Sequence, residues 1–541
     1  MNTEPVALHE IINRLLTPEP PAPSRLTRFL PVAGTWQSLN QRLRFKSPLD
    51  LLNAVLRGVG QVIFVNNPLS GLLILLALVL QDPWVGCMAL LGTIAATATA
   101  YYCNLDQDTI RNGIFGYNGT LVGAALATFG SSGNGTWNGV WILAIVALAM
   151  LTTVMMAKLG VWWVKTFNAP PLTLPFNLLT LIFLAGVLWI PQPWFVLAPS
   201  AATEATQPSL SQLLGALPIG FGQVFLADRL LSGALVLLAV ALCTPLGALI
   251  ALVGSGLGVL AAWSLGIPLE AIYAGLWSYN ALLAILAIGG IFYAPNLRSI
   301  AVGALTALAA VGVGLVLQLV FGGLKLPVLT LPFCIATVGC FMVLQRSFPS
   351  LVPVALHAVT SPEEHYKRYQ VAKRIMSTFR RELGEAMGGQ ATFYLLQGAS
   401  PALQDNLRFV FNAIDSDRNG MLSREEITDY VGQAGQFTDE AELDYLFQCM
   451  DRDSNGGIDF EEFGELMLRH RRLMANYQDF MTYFIPIDAN GDDLISLEEM
   501  NVAMASVGEP ALSQEEVEFL RHQTQSHSIT WNRFIELLLI V

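Results

Sequence analysis

From Leu230 to Gln345 the chain runs 116 residues with only three charged side chains, Glu270, Arg298 and Lys325. A stretch that apolar has too little polar surface to remain in water. Backbone N–H and C=O groups placed in hydrocarbon must pair within their own segment, so the pattern predicts membrane-spanning α-helices. After Pro362 the pattern changes. Val371, Ile375, Met376, Phe379 and Leu383 recur at helical spacing among basic residues, which predicts an amphipathic helix followed by soluble structure. The expected fold class is all-α, with a transmembrane domain followed by a soluble helical one.

Charge divides the chain at the same place. Only 13% of the 541 residues are charged, against roughly 25% in soluble proteins. Residues 1–360 hold 14 Lys/Arg and 10 Asp/Glu, whereas residues 361–541 hold 15 and 31. The halves therefore carry +4 and −16, and the junction falls near Pro353–Pro362. No cleavable signal peptide is expected in the first 58 residues, so the first transmembrane helix would direct insertion. Five of the six cysteines, Cys87, Cys103, Cys243, Cys334 and Cys340, lie in apolar segments without metal-site spacing and read as small core residues.

The apolar region repeats itself. Gly60-Gln61-Val62 returns as Gly222-Gln223-Val224, and Ser70-Gly71 as Ser232-Gly233, both at an offset of 162. Ile110, Gly113, Tyr117, Asn118 and Leu121 return at the same offset as Ile272, Gly275, Tyr279, Asn280 and Leu283, with Asp108 and Glu270 as a matched acidic pair. Leu172-Thr173-Leu174-Pro175-Phe176 is answered by Leu329-Thr330-Leu331-Pro332-Phe333 at an offset of 157. Three blocks in one order establish a duplication. Basic residues flank both ends (Arg25, Arg28, Arg42, Arg44, Lys46 and Arg57; Lys367, Arg368, Lys373, Arg374, Arg380 and Arg381), and residues 199–217 between the halves have none. Both flanks are expected in the cytoplasm. Each half then crosses an odd number of times, the halves are inverted, and five helices apiece fit the apolar length. Glycine- and asparagine-interrupted segments around 113–127 and 275–288 are the expected short helices at a shared midplane site.

The polar residues present in both halves are neutral: Gln61/Gln223, Thr173/Thr330 and Asn118/Asn280. An ion pathway would place ionisable groups in the spans. Amides and hydroxyls beside Phe64, Tyr117, Tyr279, Leu121 and Leu283 instead fit a planar, uncharged solute whose N–H or O–H groups need replacement partners for water. Packing and interhelical hydrogen bonding explain each residue taken singly. Their duplication as a set is what favours a passage.

These residues also carry a resemblance. Gly60-Gln61-Val62-Ile63-Phe64, Asn66-Asn67-Pro68-Leu69-Ser70-Gly71, Phe115 through Gly123 and Leu174-Pro175-Phe176-Asn177 make residues 45–348 similar to the urea transporter (urea channel) family. The resemblance implies ten helices in inverted repeats (about 55–198 and 217–345), a pore in each protomer, a homotrimer, and passive urea conduction. It also implies that Gln61 and Gln223 line a filter, Phe64 walls a slot, Leu121 and Leu283 narrow the passage, and Thr173 and Thr330 offer hydroxyls at its middle. Tyr117 and Tyr279 stand where the family usually has Phe, and Leu226 stands opposite Phe64. Asp228-Arg229 replaces the Asn-Pro of Asn67-Pro68.

Residues 400–541 carry different chemistry. Asp415, Asp417, Asn419, the Met421 carbonyl, Ser423 and Glu426 occupy the oxygen positions of a 12-residue calcium loop whose sixth residue is Gly420. Asp451, Asp453, Asn455, the Gly457 carbonyl, Asp459 and Glu462 repeat it around Gly456. A third loop, with Asp488, Asn490, Asp492, Ser496 and Glu499, has Asp493 in place of the glycine and is expected to bind weakly or not at all. A fourth survives in outline, with Ile529 at its centre and Arg533 where the bidentate Glu belongs. The domain is similar to the calmodulin-like EF-hand family, and two Ca2+ sites are expected.

The expected organisation is a cytoplasmic segment 1–44, a membrane domain 45–348, a linker 349–399 and the EF-hand domain, with both termini in the cytoplasm. The helix within 361–398 would be a linker, a membrane-surface helix or an internal target of the calcium domain. The competing functions are a urea channel biased by calcium, a channel for other small amides, ammonia or water, and a membrane-anchored calcium buffer or adaptor. The six histidines lie outside the spans and no nucleophilic triad is visible, so neither an enzyme nor a nucleic-acid partner is expected.

Overall fold

In the computed structural model the described residues are 33–44, 47–130, 139–167, 169–190, 195, 197, 208–347, 351, 354, 360–387, 394–433, 447, 451, 455–471, 494–506, 508–524 and 528–530. They form two compact units, divided between Lys367 and Arg368.

The first unit opens with a short helix α1 (Gln37–Leu43) and then the first repeat: α2 (Ser47–Gln61), α3 (Pro68–Gln81), α4 (Pro83–Tyr102), α5 (Gln107–Arg111), α6 (Tyr117–Phe129), α7 (Gly139–Phe167) and α8 (Leu174–Trp189). The second repeat follows the same order: α9 (Leu210–Gln223), α10 (Leu230–Cys243), α11 (Pro245–Ser264), α12 (Leu269–Tyr273), α13 (Tyr279–Leu286), α14 (Leu297–Leu324) and α15 (Leu331–Ser347). Helix starts are written in side-chain chemistry. Asn67 Oδ1 accepts the Leu69 and Ser70 N–H groups above Pro68, Asp82 caps Trp84 above Pro83, and the Thr244 hydroxyl caps Gly247 above Pro245. Proline at a first helical position sets φ where no N–H is required. Asn296 and Ser299 form a reciprocal capping box on α14.

The duplication extends to the backbone. Phe64 and Leu226 share a left-handed φ of 60° and 61°, Leu172 and Leu329 share 52° and 49°, and Gly113 and Gly275 share 76° and 72°. For residues with a Cβ such a conformation costs about 1–3 kcal/mol and persists only where the surroundings impose it. Each repeat therefore keeps the same strained corner before its second helix and before its last.

Among the described residues, α4, α7, α11 and α14 are long and apolar enough to cross a membrane, and α3, α8, α10, α13 and α15 are shorter apolar helices. Leu143 on α7 and Leu319 on α14 are 71% and 83% exposed, an outer surface that suits lipid. By contrast α6 is 13 residues long and buried from Tyr117 to Ala127. It spans about 20 Å at 1.5 Å per residue, short of the roughly 30 Å of a hydrocarbon core. Its partner α13 continues through a π-helical turn, Ala287–Ile291.

The second unit contains most of α16 (Pro362–Met387), then α17 (Tyr394–Gly398), α18 (Pro401–Ile414), α19 (Arg424–Gln433), β1 (Leu494–Ser496), α20 (Leu497–Ser506), α21 (Gln514–Thr524) and β2 (Ser528–Thr530). Leu407, Val410, Phe411, Ile414, Leu422, Ile458, Phe460 and Phe463 pack into one hydrophobic core there. Two short antiparallel pairings tie its loops together: Leu422 with Ile458, and β1 with β2, where Ile495 lies opposite Ile529.

Matched glycines set the helix spacing in the membrane unit. A Cβ on Gly71 of α3 would lie 1.8 Å from the Leu56 carbonyl oxygen, and one on Gly233 of α10 would lie 2.2 Å from that of Pro218. Gly312 on α14 has open space. Gly71→Ala and Gly233→Ala are each expected to destabilise the protein by about 1–3 kcal/mol through overpacking. Gly312→Ala is expected to be neutral or to stabilise by up to about 1 kcal/mol. Thermal unfolding midpoints in detergent check the contrast, and equal midpoints for all three variants would contradict it.

Candidate functional site

The two repeats meet where α8 and α15 begin. The N-cap hydroxyls of these helices, Thr173 and Thr330, are buried and 2.7 Å apart. Around them are Cys334 Sγ, 3.1 Å from Thr173 Oγ1, and Asn177, whose Nδ2 lies 2.9 Å from Thr330 Oγ1 and donates to the Thr173 carbonyl at 2.8 Å. Asn177 and Cys334 are themselves partners at the offset of 157. The two threonines were legible as a pair. Asn177 and Cys334 were not, because a lone amide and a lone thiol carry no sequence signal of a tertiary meeting point.

Helix starts inside a membrane leave N–H groups without partners. Here each is supplied. Leu174 N–H donates to Pro171 O and Leu331 N–H to Val328 O. Pro175 and Pro332 have none to supply. Phe176 N–H donates to Asn118 Oδ1 at 3.3 Å, and Phe333 N–H to Asn280 Oδ1 at 3.2 Å. Asn118 and Asn280, expected as polar groups of a passage, thus hold the starts of α8 and α15 in place.

One position along α6 and α13 from each asparagine lies a tyrosine. Tyr117 donates its hydroxyl to the Leu172 carbonyl at 2.6 Å, and Tyr279 to that of Leu329 at 2.5 Å. Leu121 and Leu283, one turn further on, are buried. The glutamines at the C-terminal ends of α2 and α9 are oriented alike. Gln61 Nε2 donates to Asn112 O at 2.9 Å and Gln223 Nε2 to Ala274 O at 2.7 Å, at the C-caps of α5 and α12. With the amide nitrogen so engaged, each glutamine has its Oε1 acceptor to offer. The half-buried Phe64 ring meets Phe292 edge-on at 5.7 Å and Phe333 at 6.1 Å.

Leu121, Gln223, Leu226, Tyr279, Leu329 and Thr330 line one cavity of about 450 Å3. It also touches Asp228, and the pairing of that residue corrects the sequence reading. The N-cap of α10 is Arg229 and that of α3 is Asn67, so Asp228-Arg229 matches Asn66-Asn67 and not Asn67-Pro68. Asp228 accepts a hydrogen bond from Gln81 at 2.7 Å. Asp108, half of the matched acidic pair, is exposed and bonded to Arg111 at 3.2 Å.

In the second unit Asp415, Asp417 and Glu426 bring carboxylate oxygens within 4.8 Å of one another. Gly420 and Gly456 take φ of 85° and 88°, the sixth-position turn that a calcium loop requires. Asp415 accepts the Asn419 and Gly420 N–H groups, and Asp451 those of Asn455 and Gly456, so the two loops wrap in the same way. The Ser423 N–H, then its hydroxyl and the Ser416 and Asp417 amides, hold Glu426 below the usual carboxylate range. An oxygen-only, acidic set on a glycine turn fits Ca2+, with Asn419, the Met421 carbonyl and Ser423 completing the first loop, and Asn455, the Gly457 carbonyl, Asp459 and Glu462 serving the second. Ser496 and Glu499 of the third loop form the same side-chain bond as Ser423 and Glu426. Asp453, Asp488, Asn490, Asp492 and Arg533 lie outside the described residues.

One contact was not legible in the sequence. Glu363, in the first turn of α16, accepts the Thr244 hydroxyl at 2.6 Å and the Leu246 N–H at 2.7 Å, which closes the start of α11. Pro362 packs over Gly290 in the π-helical turn, and Val354 N–H donates to Phe292 O at 2.9 Å.

Comparison with known proteins agrees with this division. The urea transporter family model matches residues 52–345, and the EF-hand domain pair model matches residues 404–468. Urea transporter 1 of Ovis aries is 37% identical over 323 residues, 59% of this chain and 83% of that protein. Urea transporter 1 of Rattus norvegicus is 35% identical over 338 residues, 61% and 86%. That of Mus musculus is 34% identical over 334 residues, 61% and 86%. With its doubled strained corners, its paired threonines and more than half its length matched, the chain belongs to the urea transporter family and carries an EF-hand domain after the membrane unit.

Proposed function

We propose that the membrane unit conducts urea passively, down its gradient, through a passage in each protomer of a homotrimer. The observation that carries this reading is the cavity in which Gln223, Leu226, Tyr279 and Leu121 lead to Thr330, whose hydroxyl meets that of Thr173. By the pseudo-symmetry Gln61, Phe64, Tyr117, Leu283 and Thr173 form the other half of the route. Urea is planar, donates four N–H groups and accepts at one carbonyl. Glutamine and threonine oxygens receive the N–H groups, and flat or apolar side chains hold the faces. The N-terminal ends of α8 and α15 bring positive dipole ends to the middle, where they favour the carbonyl oxygen of the solute. No ionisable side chain is required at the centre, so nothing there selects an ion.

Both termini are proposed to be cytoplasmic, following the basic flanks. Two calcium ions are assigned to the loops at 415–426 and 451–462, and the third loop is proposed as a weak site. One observation supports a calcium bias of the conduit. Helix α16 starts on the membrane unit through Glu363 and ends in the unit that carries the calcium loops, where Met376 and Leu383 are buried and Arg380 pairs with Glu516 at 3.2 Å.

Three outcomes are expected. In proteoliposomes followed by stopped-flow light scattering, the protein accelerates urea entry, and Thr173→Val or Thr330→Val slows it about fivefold or more. That factor is what losing one hydrogen bond worth about 1–3 kcal/mol in transit implies. Urea rates equal to those of empty vesicles would remove the reading. Glu426→Gln, which deletes one oxygen of the bidentate ligand, should weaken calcium binding at the first loop about tenfold or more by titration calorimetry. Finally, chelating calcium should change the urea rate of the intact protein but not that of Glu363→Ala. An identical response in both would show that the α16 anchor transmits nothing.

A further inference from the structure

The two repeats do not carry the same charge at equivalent positions. In the second repeat Asp228 lines the cavity that leads past Gln223 to Thr330, and among the described lining residues it alone is charged. Its counterpart in the first repeat is the neutral Asn66, which is already engaged. The Asn66 carbonyl and side-chain oxygens both accept from the buried Arg57 guanidinium, at 2.7 and 2.8 Å, and its amide nitrogen donates to Asn112. A cation is thus fixed beside one position and a carboxylate stands open at the other.

That carboxylate is held in place. Gln81 Nε2 donates to Asp228 Oδ1 at 2.7 Å, and Gln81 Oε1 is itself fixed by the Arg229 N–H at 3.2 Å and the Ser232 hydroxyl at 3.0 Å. Asp228 forms no ion pair with a described residue, and the neighbouring Arg229 side chain is exposed and does not line the cavity. Gln223 adds a second acceptor, because its amide nitrogen is engaged at Ala274 O. Phe129, Trp277 and Tyr279 supply aromatic walls.

We propose that this cavity is a binding site for planar cations of the guanidinium and amidinium class, which lodge there and block urea. The proposal rests on the reading of the membrane unit as a urea conduit. Guanidinium has the outline of urea, with a third amino group in place of the carbonyl oxygen. Its N–H groups meet Gln223 Oε1 and the Asp228 carboxylate, which can accept a parallel pair even with Gln81 on one oxygen. Its faces lie against aromatic rings, which attract a delocalised cation. Farther in, the same cation is opposed. The groups that meet at the centre, Thr173, Thr330, Asn177 and Cys334, are neutral, and α8 and α15 aim their positive ends there. The carbonyl oxygen that those ends favour in urea is missing from guanidinium. A solute that enters as urea does and cannot cross occludes the route.

The test is stopped-flow urea entry into proteoliposomes of the full-length protein in millimolar guanidinium chloride, too dilute to unfold it. Potassium and tetramethylammonium chloride at equal ionic strength are the controls. Guanidinium is expected to slow urea entry more than either control, and excess urea should relieve the block. Asp228→Asn should raise the guanidinium concentration that halves each protein's own uninhibited rate about fivefold or more, the factor that one charge–charge contact near a wetted surface commands. Asp228→Glu, which keeps the charge, should raise it less. Tracer exchange of guanidinium, equal on both sides, should be no faster than in protein-free vesicles. If Asp228→Asn fails to give monodisperse protein, relief by urea and the contrast with the control cations decide the matter in the wild type. Equal block in Asp228→Asn and wild type, block by guanidinium no greater than by potassium, block that excess urea does not relieve, or guanidinium exchange faster than in protein-free vesicles overturns the inference and leaves the conduit standing. Wild-type urea entry no faster than in protein-free vesicles overturns both.

Discussion

A helix that begins inside hydrocarbon must find partners for its first N–H groups without water, and the centre of this protein is arranged around that demand. Helices α8 and α15 meet it in the same way. A loop carbonyl takes the first N–H, proline removes the second, and an asparagine from the short buried helix takes the third. Once those ends are satisfied, the N-cap threonines are brought to the middle and their hydroxyls meet. The short helices α6 and α13 are buried because they carry the asparagines that close those ends. The polar centre of the membrane unit is a consequence of backbone accounting, and the use proposed for it is built on top.

The places where the repeats differ are as informative as those where they agree. Arg57 on α2 has no counterpart in α9, where Ile219 occupies the matching position. Its buried guanidinium donates to the carbonyls of Thr35, Trp36 and Asn66 and to the side-chain oxygens of Asn53 and Asn66. A charge at such depth is tolerated only when its donors are matched. Here they fasten the segment before α1 to the first repeat, while Ala33 N–H and the Gly34 carbonyl of the same segment also bond to Leu242 and Cys243 of α10. The second repeat is marked instead by the π-helical turn at Ala287–Ile291, beneath Pro362 and Glu363. Each half thus carries an attachment of its own, made by a local exception to the shared plan.

Much of this was legible in the residues. Offsets of 162 and 157 between identical short blocks gave the repeat, and the switch from an apolar to an acidic chain gave the two units. Tyr117, Gln61, Thr173 and their partners were identified as a set. What they bind was not, because a hydrogen-bond partner some 50 residues away leaves no local pattern. Nothing in Asn118 announces a helix cap for α8, and nothing in Gln61 announces that its nitrogen is engaged by Asn112. The left-handed corners at Phe64 and Leu226 were equally hidden, since local rules place glycine there and the tertiary structure imposes another residue. The calcium loops lie at the other extreme. Their candidate ligands lie within 12 residues of one another, so the pattern is local and open to a reading from sequence.

The link between the two units is constrained by thermodynamics whatever its direction. Calcium shifts a conformational equilibrium only by the difference in its affinity for the two states. If it alters the passage through α16, the state of the passage must alter calcium affinity by the same factor. The anchor at the start of α16 bears on how large that factor is. Glu363 accepts two hydrogen bonds at the N-terminus of α11, where the helix dipole also favours its charge, so the contact is strong for its size. A displacement of α16 that broke it would leave the Leu246 N–H and the Thr244 hydroxyl to find other partners, a cost of about 1–3 kcal/mol each where they stay buried. Calcium binding would have to supply that difference, about 2–6 kcal/mol for the pair, against about 1–3 kcal/mol for a typical allosteric coupling between two sites. A weaker anchor would transmit little, and a much stronger one would hold the helix fixed in both states.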